Sequence, residues 1–593
     1  MNRKPRRRPS RPRLSAFDAL QQYWTLSACT GQEMPTDQLV ALVRQHNWVD
    51  GLKAVATMSA IAANARDPKA KARWSTDALI AELDRGGLGN AAMASRLRED
   101  LNRPIVHEEG LLVLQTLFVL YGAEEGGRPA SPAHVAFLLL ALSDHLGTED
   151  GDTTLTRTEK GLAIVARAMR FDRVEDLLRE LARAEALFNE RRVHAALLDE
   201  ESWGNFLQEA LGASLEEFVD RRLTPLALLS SMWGVEEDPV WYFPLIDVHQ
   251  WTAEVEGRDF PVLAEDLAWS RDELQVHLKA SARHLIPQHT GHFYRKPFVK
   301  LSDGRHILAV SPRAVRWILR AAAWARCLNF AKAALPGGAT TWLSIFGYLV
   351  EGWCRTLAEM AKREGLRDEL ILPTSPGSND EIADVVFKSD QGVVLCSVKS
   401  RMMREDVIRS AGPRRTIVDW YENFFFEEKK VGHRQESLWQ MQRAIARIRG
   451  GEFVDKGIAR DSRIYPVVIV YDEIGDHPGL YRWLRERCEF HEVLRGSRIE
   501  PLTVCTLSDF EVLLATAVRK HGLVSLVHRK TRPPLRDVPL RPALGEVWSG
   551  NLPRLAELEA RYDQLMERAR QRLFPAPGEE LDRYPPLEPY PQG

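Results

Sequence analysis

An acid and a lysine are spaced so that two adjacent strands would present them side by side. The stretch EIADVVFKSDQGVVLCSVKSR reads as a hairpin with strands at Ile382–Lys388 and Val393–Ser400. Because side chains alternate along a strand, pairing across the turn brings Asp384 beside Ser397 and Lys399. A carboxylate is a hard ligand for a divalent cation, and a nearby lysine can hold hydroxide and stabilise developing negative charge. The pattern therefore predicts hydrolytic chemistry at a metal ion.

A second carboxylate is set into the apolar helix that precedes the hairpin. Glu351 lies in FGYLVEGW, where apolar residues recur at helical spacing, and its carboxylate could point at the same spot as Asp384. These residues also have simpler interpretations. Asp384 and Lys399 would then form a cross-strand ion pair on an exposed sheet face. Glu351 would be a solvated helix residue, and Ser397 would be a small residue of the sheet.

The elements around the hairpin follow an order that is typical of an α/β domain. A long helix from Thr340 and the hairpin come first, followed by a polar and aromatic insertion and a helix at Glu436–Gly450. A buried strand at Ile464–Glu473 and a second strand, PLTVCTL, come next. A helix with capping-box spacing at Ser508–Glu511 then follows.

On these residues the chain resembles the PD-(D/E)xK nuclease superfamily, whose domains have the restriction-endonuclease-like fold. The resemblance covers residues 340–530 and includes Glu351, Asp384, Lys399 and the following helix with Gln440. It implies that the carboxylates hold Mg²⁺, for which Mn²⁺ can substitute, and that the lysine orients or activates the attacking water. Phosphodiester hydrolysis needs both a nucleophile at neutral pH and charge neutralisation, and Mg²⁺ provides both.

The sequence departs from the family at one catalytic position. Two residues before the lysine the family has Asp or Glu, whereas this chain has Ser397. Serine carries no charge, so another acid must complete the metal site. Glu436, at the start of the next helix, is the first candidate, and Glu405 is another. Some restriction enzymes of this family likewise take the missing carboxylate from a later helix. The metal ligands implied are therefore Asp384, Glu351 and Glu436.

The insertion between the hairpin and the next helix mixes basic and aromatic residues. Trp420, Tyr421 and Phe424–Phe426 would suit base stacking, and the basic residues would suit phosphate contact. Acids are interspersed, so a solvated lid or a partner surface is an equally good interpretation. The residues assigned to nucleic-acid binding are Arg401, Arg404, Arg409, Arg414, Arg415, Lys429 and Lys430.

The rest of the chain predicts a multidomain protein. Its N-terminal half is mainly α, and its C-terminal domain is restriction-endonuclease-like α/β with a mixed central sheet. A hairpin turned at Asp303-Gly304 is expected between them. The predicted regions are a disordered basic tail (1–14), a helical scaffold or sensor (15–240), a mixed α/β connector (241–338), the nuclease-like domain (339–545), a C-terminal helix (546–574) and a Pro-rich tail (575–593).

Composition limits the partners and the compartment. The net charge of −2 excludes a protein-wide basic field, so a nucleic-acid site must be a local patch. The six cysteines include no C-x-x-C pair, which argues against a zinc ribbon or a disulfide framework and favours a reducing cytoplasm. No apolar run is long enough for a membrane span, and the basic start lacks the apolar stretch of a secretory signal.

The function expected from these features is Mg²⁺-dependent cleavage of nucleic acid, with DNA favoured over RNA. By analogy, a helical half fused to such a domain suggests an effector of bacterial antiviral defence or restriction. The helical half would bind protein partners. Two alternatives stay open. A degenerate nuclease fold would bind nucleic acid or a partner without cutting, and a scaffold subunit would only assemble with other chains.

Overall fold

The computed structural model of this chain describes it in segments. These are residues 24–63, 76–99, 105–146, 154–156, 158–160, 162–163, 177–190, 200–224, 226–227, 233–235, 240–242, 245–246, 267–281, 285–286, 292–293, 296–309, 312–373, 382–402, 414–426, 438–471, 478–520, 522–548 and 552–573. Predictions for the basic tail and the Pro-rich tail fall outside these residues. The domain boundaries stay predictions.

The described part of the chain up to residue 227 is mainly helical, as its periodicity predicts. Long apolar runs form buried helices, and polar side chains begin them: Ser131 accepts the His134 amide, and the His134 ring accepts the Ser131 amide. The helices are α1 (Leu26–Thr30), α2 (Thr36–Val43), α3 (Trp48–Ala63), α4 (Thr76–Arg85), α5 (Ala91–Arg98), α6 (Glu108–Tyr121), α7 (Pro132–Ser143), α8 (Leu177–Phe188), α9 (Glu200–Leu211) and α10 (Leu215–Phe218), which continues into a π-helical turn, Val219–Leu223.

Short strands and two helices follow. The predicted hairpin at Asp303-Gly304 is confirmed, because its two strands pair antiparallel and Gly304 adopts a φ of 84° in the turn. The elements are β1 (Trp233–Val235), β2 (Val240–Tyr242), β3 (Leu245–Ile246), β4 (Ala268–Ser270), α11 (Arg271–Ser281), β5 (Phe298–Lys300), β6 (His306–Leu308) and α12 (Pro312–Ala334). Strands β3, β6, β5 and β4 form one small sheet in that order.

The C-terminal region contains a five-stranded mixed sheet among helices. Its elements are α13 (Ala339–Arg363), β7 (Glu369–Ile371), β8 (Val385–Ser389), β9 (Gly392–Lys399), α14 (Arg414–Phe425), α15 (Leu438–Gly450), β10 (Ile464–Val470), α16 (Pro478–Phe490), β11 (Thr503–Thr506), α17 (Leu507–Arg519), α18 (Leu523–Lys530), α19 (Leu540–Val547) and α20 (Ala556–Leu573). The strand order is β11-β10-β9-β8-β7. β7, β8 and β9 pair antiparallel, whereas β9, β10 and β11 pair parallel.

Helices cover both faces of this sheet. On one face, α13, α17 and α18 pack against the strands. Their core contains Val385, Phe387, Val394, Cys396 and Val398, and it is continuous with the core of the N-terminal helices. The opposite face contributes Val386, Leu395, Val468 and Val470 to a second core with residues of α14, α15 and α16. Alternation along each strand therefore separates the two cores, as the apolar pattern requires.

Several elements were not predicted. β7, α16 and α18 were missed, and α14 forms inside the segment that was treated as an insertion. The predicted start of α17 was wrong by two residues, because Thr506, not Ser508, accepts the Asp509 amide at its N-terminus. β7 has only three residues and no alternating pattern, so it carries no sequence signal of its own.

The helical region is joined to the sheet region through α8. Arg183 on α8 donates two hydrogen bonds to Glu511 on α17, at 2.7 and 2.8 Å. Arg568 on α20 bonds to Glu185 on α8 and to Asp220 in the π-helical turn. Bidentate pairs of this kind fix relative orientation as well as adding energy.

Among the described residues, no helix combines the length and the apolar character that crossing a bilayer requires.

Acid should weaken the helical region through His107, which begins α6. Its Nδ1 accepts the Gly110 amide at 3.1 Å, and its Nε2 lies 2.9 Å from Ser143 Oγ. Burial lowers the pKa of His107 from 6.5 to about 4, so below about pH 6.5 the unfolded chain takes up a proton that the folded chain refuses. The free energy of unfolding should fall by about 3 kcal/mol as the pH drops through this interval.

The matched variant is His107→Asn, because asparagine keeps an acceptor at the start of α6 but does not titrate. Urea unfolding between about pH 7 and about pH 4.5 should show a larger loss of stability in the wild type than in His107→Asn. Equal losses of unfolding free energy in the two proteins would show that His107 is not the group responsible.

Glycine is required at residue 522. Its φ is +80°, and a Cβ there would lie 2.7 Å from Asp368 Oδ2, the atom that accepts the Leu523 amide at the start of α18. Gly522→Ala should therefore lower the free energy of unfolding by about 1–3 kcal/mol. The control is Gly545→Ala in α19, where nothing lies within 4 Å of the added Cβ. It should raise stability by about 0.5–1 kcal/mol in the same denaturation assay; destabilisation by both substitutions would refute this explanation.

Candidate functional site

A buried carboxylate stands where β8 begins. Asp384 is 4% exposed, and its Oδ2 accepts the backbone amide of Val398 on β9 at 2.6 Å. The hairpin register pairs Val385 with Cys396, which carries Asp384 to the level of Ser397, as the sequence pattern predicts. The alternative of an exposed cross-strand ion pair does not form, because the carboxylate is buried and bound to the backbone.

Lys399 ends β9 and reaches toward the following helix. Its Nζ donates to Gln440 Oε1 on α15 at 3.3 Å, and its backbone carbonyl accepts the Tyr471 amide at 2.9 Å. The side chain is half-buried. An ammonium group has three donors, so bonding to Gln440 leaves it with donors for water or a ligand.

Ser397 lies between these two residues, facing the side of the sheet that α15 covers. The residue is 5% exposed, and its Oγ has no hydrogen-bond partner. Because burying an unbonded hydroxyl costs about 1–3 kcal/mol, the group is held here at the expense of stability.

Glu351 is carried on the face of α13 that borders the hairpin. Gly347, Glu351 and Arg355 follow at intervals of four and share one side of the helix. Gly347 approaches the residue after β9, since a Cβ on it would lie 3.4 Å from Ser400 Oγ. At the other end, Arg355 Nε donates to the Asp384 carbonyl at 3.2 Å. Glu351 therefore lies on α13 between Gly347, which approaches the end of β9, and Arg355, which contacts the start of β8.

Arg355 belongs to this site, and sequence reasoning missed it. It is only 9% exposed, and its Nη2 lies 3.9 Å from Glu351 Oε2 without a hydrogen-bond partner. A signal was present in the sequence, because an arginine four residues after an inward acid, in an otherwise apolar helix, must be buried beside that acid.

The structure describes the side chains of only two of the residues that were predicted to bind nucleic acid. Arg401 is exposed just after β9, and Arg415 is paired with Asp419 on α14 at 2.8 Å. Arg414 begins α14, but its side chain lies outside what is described. Predictions for five further residues also fall outside the described residues: Arg404, Arg409, Lys429, Lys430 and Glu436, together with the alternative acid Glu405.

The aromatic residues of the insertion are not available for base stacking, and that interpretation was wrong. Trp420, Tyr421 and Phe424–Phe426 are all at most 8% exposed and form part of the second core. They face inward because α14 is amphipathic, and a helix packed on the sheet buries its apolar side. Composition alone could not distinguish this buried face from a stacking surface.

The side chains around Asp384 offer oxygen rather than sulfur to a metal. Burial raises the pKa of the thiols of Cys354 and Cys396, and the negative charge of Asp384 adds to this, so both stay protonated. The oxygen donors are then the carboxylates of Asp384 and Glu351, a ligand type that suits a hard cation such as Mg²⁺. Within the described residues, however, no three or more His, Cys, Asp or Glu side chains are grouped to hold a metal.

Comparison of the chain with protein-family models, curated proteins and solved structures returns no match. What the site does must therefore be argued from its own residues.

Removing the unbonded hydroxyl should stabilise the free protein. Ser397→Ala should raise the free energy of unfolding by about 1 kcal/mol, because a buried donor without a partner disappears. The control is Ser143→Ala, which removes a buried hydroxyl that bonds His107 and the Leu139 carbonyl. That change should lower stability by about 1–2 kcal/mol in the same urea titration. Equal destabilisation by both substitutions would show that Ser397 has a partner in the free protein.

Proposed function

We propose that the C-terminal region is a nuclease domain of the PD-(D/E)xK type that hydrolyses phosphodiester bonds, with DNA the preferred substrate. The observation that carries the proposal is the buried Asp384 carboxylate, which is fixed by the amide of Val398, the residue before the half-buried Lys399. The mixed five-stranded sheet with helices on both faces agrees with this fold.

In this proposal each residue has a separate role. Asp384 and Glu351 bind the divalent cation, and an acid from another segment, with Glu436 the first candidate, completes its ligands. When bound there, Mg²⁺ or Mn²⁺ would supply an activated water and would neutralise charge on the phosphate. Lys399 orients the attacking water, and Gln440 holds the ammonium in place through the 3.3 Å hydrogen bond.

A second candidate is a degenerate nuclease fold that binds nucleic acid or a partner without cutting. Ser397 favours it, because the position before x-Lys carries no charge. So does the lack of a third metal-binding side chain within the described residues. The two candidates differ in whether a phosphodiester bond is broken.

The deciding experiment is a nuclease assay on plasmid DNA, single-stranded DNA and RNA, each with Mg²⁺, Mn²⁺ or EDTA. We expect cleavage with either cation and none with EDTA. Asp384→Asn and Lys399→Met should each lower the rate at least about 100-fold, because they remove a metal ligand and the group that positions water.

The matched control is Asp390→Asn, which removes an exposed acid in the turn of the same hairpin and should leave the rate unchanged. Salt-sensitive binding without cleavage would select the degenerate fold. Neither binding nor cleavage, with a stable complex with other chains, would select a scaffold role instead.

A further inference from the structure

A group of arginines lies at the end of the sheet opposite the candidate site. β9 and β10 run parallel, with Lys399 beside Val470 at their carboxyl ends, whereas Ile464 begins β10 at the other end. Because β10 has seven residues, its two ends lie about 20 Å apart. We name residues 458–463, 495–500 and 528–532 the arginine patch, which contains Arg460, Arg463, Arg495, Arg498, Arg529 and Arg532.

Hydrogen bonds and ion pairs bring these three segments together. The Ile464 amide donates to the Arg498 carbonyl at 2.8 Å, and the Glu500 amide donates to the Ile464 carbonyl at 2.9 Å. The third segment is joined through the Glu500 carboxylate, which pairs with Arg532 at 3.0 Å and with Arg463 at 3.4 Å. The three segments therefore form one surface, although they are far apart along the chain.

The arginine patch is basic in a chain whose net charge is only −2. Its exposed and half-buried charged side chains are six arginines and two acids, Asp461 and Glu500, which gives a formal charge of +4. The pKa of His528 reflects this field, because burial lowers it and the charges of Arg532 and Arg463 lower it further. The patch is thus the kind of local basic surface that nucleic acid would require of this chain.

The backbone holds Arg498 in an unfavourable conformation. Its φ is 64°, in the left-handed region that residues other than Gly, Asn and Asp seldom adopt. The Arg498 Nη1 donates to the carbonyl and the carboxylate of Asp461 at 2.8 and 2.7 Å, and the side chain is still 56% exposed. Glycine would relieve the backbone strain, so the arginine serves through its side chain.

We propose that the arginine patch binds the phosphate backbone of nucleic acid, at a surface separate from the candidate catalytic residues. Guanidinium groups match phosphate oxygens in bidentate geometry and stay charged at physiological pH. A protein partner would instead need an apolar centre in the interface. Among the described residues, none of the large apolar side chains that are exposed lies in the three segments. The proposal concerns binding alone and goes beyond the cleavage proposed above.

The test measures binding of the full chain by fluorescence anisotropy. The probes are labelled duplex DNA and labelled single-stranded RNA, with EDTA present to prevent cleavage. Salt is varied, because each phosphate contact releases condensed counterions and steepens the fall of affinity with salt. Arg498→Gln and Arg532→Gln should each weaken binding about fivefold to tenfold at roughly 0.1 M salt. Each should also reduce the slope of log affinity against log salt by about one.

The matched control is Arg96→Gln on α5, which removes the same charge from an exposed arginine paired with Glu99, outside the patch. It should bind as the wild type does. Arg532→Gln leaves Glu500 paired with Arg463, so this variant should keep its fold. Thermal melts check that each variant is folded, and Arg532→Gln decides alone if the other patch variant is not.

Each outcome decides a separate point. Salt-dependent binding that the patch variants weaken supports the proposal, and the more tightly bound probe identifies the nucleic acid. No binding of either probe, or binding that the patch variants leave unchanged, overturns it and leaves the nuclease proposal to the cleavage assay. Polyglutamate that competes as well as nucleic acid would assign the patch to an acidic polypeptide and also overturn it. Binding through the patch without any cleavage would overturn the nuclease proposal alone.

Discussion

A buried carboxylate is stable in a protein only when its oxygens are hydrogen-bonded or paired with a positive charge. Asp384, which is 4% exposed, is hydrogen-bonded to the backbone. Its Oδ2 accepts the Val398 amide at 2.6 Å, so the start of β8 is tied to the end of β9 by a charge-assisted hydrogen bond. This bond sets where Ser397 and Lys399 stand relative to the acid. The candidate chemistry depends on it, because a carboxylate free to rotate would not hold a fixed position on the hairpin that carries the lysine.

Helix α13 connects this site to the rest of the chain. On one side, Arg355 contacts Asp384 and Glu351, while the neighbouring Thr356 donates to Glu190, beyond the end of α8, at 2.6 Å. The helical region is thus bound to the same helix that presents the candidate metal ligand. A movement of α8 would therefore act on α13 directly.

Local patterns predicted the hairpin and its register correctly. Val385–Ser389 and Gly392–Lys399 are buried along most of their length, with apolar side chains on both faces of the sheet. A one-residue slip would exchange the side chains that face the two cores and disturb the packing of both. The aromatic residues around Tyr421 were misjudged, because an apolar helix face and a stacking surface have the same composition. Arg355 was overlooked although it follows Glu351 by four residues in an apolar helix, and its contact with the Asp384 carbonyl is visible only in the folded chain.

The sequence by itself determined many of the helices and strands and which polar residues interrupt apolar runs, since periodicity and capping act over a few residues. It also determined that Asp384 and Lys399 would occupy one hairpin. Only the tertiary structure decided that the acid is buried against a backbone amide, that α14 turns its aromatic residues inward, and that Arg355 Nη2 and Ser397 Oγ are buried without a hydrogen-bond partner. Those outcomes depend on contacts between residues far apart along the chain. Packing and desolvation, rather than local conformational preference, determine the free energy of such contacts.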